Sequence, residues 1–359
     1  MNKFIHKTLL LIFCFASLSN FGNLKAAEEI GEWKLKKTLR NPIPFTFITL
    51  QTNSLFLATS HGTIETWNWY SNRKEHKFNH GEHITATNIS IDGRLLASAG
   101  EKNINILDLE TSEVIRTFKC KNYGRDWFVS SIAISPDTKF LAVAENNQTY
   151  GLGNTLGRII IWNLRTGKQE KELQSNATFV AFKSEKTLIS TSYHDGQTTI
   201  NIWNVQNNDF KNVKPSRCMS SHHAFSSDYK YFAQVGVIPN KLITEIWDLD
   251  TQNRITMTTE EYNDVRSIEF YPKNHNILLL GMPDGTINFF DCNTKNQLKT
   301  LKCGNEPINQ IKFHPTNPNI LAIGSENTIQ IWEREESSLW KKAKEAVEDI
   351  VEMAWPAKK

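Results

Sequence analysis

The sequence predicts an all-β fold: seven antiparallel units of four short strands, arranged in a closed ring and followed by one amphipathic α-helix. Three observations carry that expectation. A hairpin pattern recurs at steps of 39 to 48 residues, and a second strand ending in an aromatic residue or leucine recurs in phase with it. The first strand-like stretch, "GEWKLKKTLRNP" from Gly31 to Pro42, has nothing upstream with which to pair.

Upstream of that stretch lies "MNKFIHKTLLLIFCFASLSNFGNLKAAEE". Lys3 and Lys7 precede an apolar run from about Leu9 to Leu18 and then small residues. This order reads as a signal peptide over 1–26, too short for a comfortable membrane span. Leu24 at the minus-three position departs from the preferred small residue, which leaves the scissile bond open. "LIFC", ending at Cys14, has the outline of a lipoprotein box, but Phe13 is bulky just before the cysteine. No later segment is apolar enough to cross a bilayer, so the mature chain is expected to be periplasmic or extracellular, without stable membrane insertion. The 41 Lys and Arg against 38 Asp and Glu, net +3 over 359 residues, argue neither for a nucleic-acid binder nor for an enzyme of acidic substrates. Cys120, Cys218, Cys292 and Cys303 are too few for a disulfide scaffold, and their redox state stays open.

The hairpins run "ITLQTNSLFLATS", "NISIDGRLLASAG", "SIAISPDTKFLAVAE", "VAFKSEKTLISTS", "HHAFSSDYKYFAQVG", "SIEFYPKNHNILLLG" and "QIKFHPTNPNILAIG". Each is an alternating strand, a turn rich in Pro, Asp, Asn or Gly, and a second apolar strand. The third strands end at Trp67, Leu107, Trp162, Trp203, Trp247, Phe290 and Trp332, and most lead through a polar turn to a fourth strand. A lone four-stranded unit exposes two faces that it cannot bury; stacking seven such units radially covers them.

From "ISPDTKFLA" and "DGTINFF" (Asp284 to Phe290), together with third-strand endings at this period, the chain resembles the WD-repeat (WD40) β-propeller family over about Trp33 to Glu333. It departs from the family pattern in two ways. Asp follows the strand-ending residue only at Asp108, Asp248 and Asp291, and the Gly-His pair is nearly absent, with Asn79-His80 the nearest match. The resemblance implies a seven-bladed β-propeller, here bounded at 31–335. The last unit, "INQIKF", "ILAIGS" and "TIQIWE", lacks an outer strand. "WKLKKTLR", with Trp33, Leu35 and Leu39 on the half-buried side, is expected to supply it and close the ring. Over 336–356, Trp340, Ala343, Val347, Ile350 and Ala354 recur at helical spacing, with Ser337 or Ser338 to start the helix and Pro356 to stop it. That helix is expected to lie on the propeller or in a partner's groove.

No nucleophile elbow, phosphate-binding Gly loop or zinc-helix motif is present, so neither a cofactor nor a metal site is predicted. His76, His80 and His83 share one loop region without a fixed metal geometry, and His80 falls where the family places its structural His. His222 and His223 are strand neighbours facing opposite ways, with His223 in the core pattern. Asp92, Asp137 and Asp228 read as turn formers. Asn88, Asn147 and Asn176 open glycosylation sequons. The implied function is a non-enzymatic scaffold for a protein or peptide partner, with no nucleic acid involved. Its partner-binding candidates are Tyr123, Arg125, Trp127 and Tyr150, around the unit interrupted by "ENNQTYGLGNTLG". The alternative is a hydrolase or lactonase with a metal at the channel mouth. The inner strands offer that chemistry little beyond Glu269 and Lys312.

Overall fold

The computed structural model describes residues 30–40, 45–51, 54–59, 62–71, 73–120, 127–147, 157–194, 197–207, 209–216, 219–238, 241–258, 264–326 and 328–335. The predicted signal peptide (1–26) and C-terminal helix (336–356) lie outside these residues. The described residues form 28 strands in seven sheets of four, and among them no helix is long and apolar enough to cross a membrane.

A first strand, β1 (Glu32–Arg40), precedes the blades. Blade 1 holds β2 (Phe45–Gln51), β3 (Ser54–Thr59), β4 (Thr63–Asn68) and β5 (Arg73–Asn79). Blade 2 holds β6 (Ala86–Ile89), β7 (Leu95–Ala99), β8 (Asn103–Asp108) and β9 (Glu113–Lys119). Blade 3 holds β10 (Trp127–Ile134), β11 (Phe140–Asn147), β12 (Gly157–Asn163) and β13 (Gln169–Gln174). Blade 4 holds β14 (Ala177–Ser184), β15 (Thr187–His194), β16 (Gln197–Asn204) and β17 (Phe210–Ser216). Blade 5 holds β18 (Met219–Phe225), β19 (Tyr231–Ile238), β20 (Lys241–Asp248) and β21 (Arg254–Thr258). Blade 6 holds β22 (Ser267–Phe270), β23 (Ile277–Gly281), β24 (Thr286–Asp291) and β25 (Gln297–Lys302). Blade 7 holds β26 (Gln310–Phe313), β27 (Ile320–Gly324) and β28 (Thr328–Glu335), and its fourth strand is β1. The unpartnered N-terminal strand finds its place there, antiparallel to β28, with Glu32 opposite Glu335 and Arg40 opposite Thr328.

The core is distributed. Seven apolar clusters fill the structure, one in each seam between neighbouring blades. The two at the closure contain β1 itself. Trp33 lies in the seam of blades 6 and 7 with Tyr271 and Phe313, and Leu39 lies in the seam of blades 7 and 1 with Trp69 and Ile331. One strand therefore contributes to two seams. A register shift between Leu35 and Lys37 lets it do so, by turning the side chains beyond it to the other face. The predicted alternation fails at Leu35, which is 47% exposed, because the strand carries that bulge and cannot bury a single stripe.

Two turn types repeat around the disc. After the first strand, Asp92, Asp137 and Asp228 each accept the hydroxyl of the Ser two residues before and the N–H two residues after, as expected of turn formers. After the third strand, Asp108, Asp248 and Asp291 accept two successive backbone N–H groups. Asn163 does the same in blade 3.

Candidate functional site

Blade 3 carries the interrupted unit. Tyr123, Arg125 and Tyr150 lie outside the described residues, while Trp127 opens β10 and is half-buried. The guanidinium of Arg158, on β12, stacks 4.7 Å from the Trp127 ring centroid. Its Nε and Nη2 both donate to Glu145 Oε2 on β11, at 2.9 and 2.6 Å. Glu145 and Arg158 face one another across the β11–β12 pair and are only 2% and 7% exposed. Trp127 is thus held in place by a buried ion pair, which satisfies the cation on its ring and fixes the root of the blade's long segment. Beside it, Cys120 has its thiol pushed up to about 12, by burial first and by the nearby Glu145 carboxylate next. Among the described residues, Glu145 Oε1 and Asn146 Oδ1 are buried with no hydrogen-bond donor. The Asn146 amide nitrogen donates to Ser130 Oγ and the Ala177 carbonyl. None of this cross-strand pairing has a sequence period, so motif reading missed it; the only signal was a charge at each of two otherwise apolar strand positions.

The seven strand-ending residues all sit on the third strands β4, β8, β12, β16, β20, β24 and β28. The indole N–H groups of Trp67, Trp203 and Trp332 donate to Glu65, Ser190 and Gln330. Arg254 lies over the Trp247 ring, while Trp162 is tilted against Phe118 of blade 2. Leu107 and Phe290 occupy the same place within the apolar clusters of their seams. These residues build seams.

The first strands of neighbouring blades lie beside one another around the axis. Glu269 on β22 pairs with Lys312 on β26 at 2.6 Å; burial raises the Glu269 carboxyl, against the pull of Lys312. His223 meets Phe179 edge-on at 5.2 Å and lies near Phe232, and burial brings its imidazole down to about 4. It is the packed histidine that its strand position predicts. His222 is likewise lowered by burial. Among the described residues, no group of three His, Cys, Asp or Glu side chains is placed to hold a metal ion.

The three histidines of blade 1 and the loop after it go separate ways. His80 is buried, with Nδ1 hydrogen-bonded to Ser98 Oγ at 2.8 Å, whereas His76 meets Ser112 and His83 is exposed. The sequon at Asn88 is occupied by structure, because its carboxamide oxygen accepts the Ile134 N–H across the seam at 3.0 Å.

Residues 295–333 match the family described as WD domain, G-beta repeat. The matched segment spans β25, the outer strand of blade 6, and most of β26, β27 and β28 of blade 7, so the sequence repeat is offset from the blade by one strand. That offset is what a ring closed by its own first strand requires. Seven four-stranded blades of this connectivity, with the repeat recognisable across one seam, support a WD40 β-propeller.

Proposed function

We propose that this chain is an exported, non-enzymatic scaffold that holds a protein or peptide partner on the face carrying the interblade loops and the second-to-third-strand turns, centred on blade 3. WD40 propellers are platforms for protein partners, and fold alone says no more than that. The observation that carries the finer reading is the root of blade 3. A Trp stacked on a buried, hydrogen-bonded ion pair gives a rigid base to a long polar segment, and such rigid bases favour binding by lowering the ordering cost. Tyr123, Arg125 and Tyr150 supply side chains of the kinds that dominate interface energetics. The hydrolase reading draws on less. The channel carboxylate is committed to Lys312, and His223 is wedged among aromatic rings.

The test is affinity capture from native extract with the full chain and with Tyr123→Ala/Arg125→Ala/Tyr150→Ala, leaving Trp127 in place because it supports the fold. A partner captured by the first and lost from the second, at unchanged melting temperature, supports the proposal. A partner retained equally by both removes blade 3 from the reading.

A further inference from the structure

A hydroxyl, an imidazole and a carboxylate stand in line where the first-to-second-strand turns of blades 5 and 6 meet. His275, in the turn between β22 and β23, has Nδ1 3.3 Å from Asp228 Oδ2 and Nε2 3.0 Å from Ser227 Oγ. Both partners belong to the turn between β18 and β19 of the neighbouring blade. With Nδ1–H donated to the carboxylate, Nε2 accepts the Ser227 hydroxyl. That is the protonation pattern of a serine nucleophile, its base and the group that orients the base. Asp228 is itself fixed, since its other oxygen, Oδ1, accepts the Ser226 hydroxyl at 2.6 Å and the Lys230 N–H at 3.0 Å. Burial raises its carboxyl, but those two bonds and the neighbouring His275 outweigh burial and hold it below the usual carboxylate range. The imidazole lies edge-on to the Tyr231 ring, 6.3 Å between centroids, whereas Ser227 is open to solvent.

The turn does not need this hydroxyl. Turns bonded in the same way have Ile91 in blade 2 and Pro136 in blade 3 at the place of Ser227. We propose that Ser227 is an acyl-acceptor site for small activated carboxylic esters, with His275 as its general base and Asp228 as the group that orients the base. In that step Ser227 Oγ bonds to the ester carbonyl carbon, and the bond from that carbon to the leaving oxygen breaks. The serine proton passes to His275 Nε2 and from there to the departing oxygen or to water. Ser227 is exposed and the Asp228 side chain is 48% exposed, so water weakens the electrostatic stabilisation of the step. The arrangement therefore supports capture of an acyl group in preference to rapid turnover. The chain remains a scaffold, and Ser227 gives it a place for covalent modification. These turns lie at the opposite ends of the strands from the interblade loops, and the inference does not depend on the reading of blade 3.

The test incubates the full chain with p-nitrophenyl acetate, quenches in acid, and follows acetylation peptide by peptide by mass spectrometry. Ser112 is the internal control, because its Oγ meets His76 Nδ1 at 2.9 Å while, among the described residues, no carboxylate is bonded to that ring. Ser227 should be acetylated at least tenfold faster than Ser112. His275→Gln should bring the Ser227 rate down to that of Ser112, and Asp228→Asn, which keeps Oδ1 for the turn, should slow it at least threefold. The Ser112 rate in the same samples stays constant, which separates loss of the base from loss of the fold. Acetylation of Ser227 no faster than that of Ser112 overturns the proposal. So does a fast Ser227 rate that His275→Gln leaves unchanged.

Discussion

At the scale of single residues, the degenerate repeat motif becomes intelligible. The position after the third-strand ending needs an acceptor for two backbone N–H groups, and Asn163 serves as well as Asp108, Asp248 or Asp291. A motif written for Asp alone understates the repeat. The Glu145–Arg158 pair is a different case, since nothing periodic announces it. Arg158→Met leaves a buried carboxylate unpaired and should cost about 3–5 kcal/mol in urea unfolding. The double variant Glu145→Gln/Arg158→Met should recover more than half of that loss, because no uncompensated charge remains. His223 sets a pH dependence. Its folded value of about 4 lies below the ordinary imidazole value, so the unfolded chain binds the extra proton first as acid is added. Its contribution is complete above about pH 6.5 and is lost progressively toward pH 4. His223→Phe should flatten that part of the urea-midpoint profile, with the wild-type midpoint falling relative to the variant's as pH drops from about 6.5 toward 4. The position was legible in the sequence as inward-facing. The Phe179 ring against it was not, because the two come from different blades.

At the scale of elements, strand placement could be read from the repeats, while the special backbone positions depend on turn geometry. Lys295, Gln252 and Ser112 hold φ near +60° in third-to-fourth-strand turns, where blade 3 uses Gly167. Lys295→Gly should therefore stabilise the protein by about 0.5–1 kcal/mol, since it relieves a left-handed non-glycine residue. Gly285 gives the opposite case: φ is +79° and an added Cβ would meet the Gly304 carbonyl oxygen at 2.5 Å. Gly285→Ala should lower stability by about 1–3 kcal/mol in the same assay. β1 shows where pattern reading stops. Trp33 and Leu39 could be recognised as buried, but the bulge at Lys36 that sends them to different seams is set by the register against β28, some 300 residues later in the chain.

At the scale of the whole molecule, stability is a property of the ring. Seven seams each bury one cluster, and each blade depends on both neighbours. Cys120, Cys292 and Cys303 are free thiols raised to about 12, chiefly by burial, and they sit in three different places around the disc. Their alkylation at pH 8, followed peptide by peptide, should be slow in the folded protein and should rise together through one urea transition. Staggered labelling would mean that the seams open independently. The closure has a mechanical consequence as well. β1 and β28 are antiparallel, so Glu32 and Glu335, where the propeller begins and ends, are paired at the same corner of the same blade. A force drawing the two ends apart loads the rungs of that ladder one at a time, starting at this corner, instead of shearing them all at once. A disc stabilised by seven seams can therefore be unzipped at low tension from the one place where its chain starts and stops.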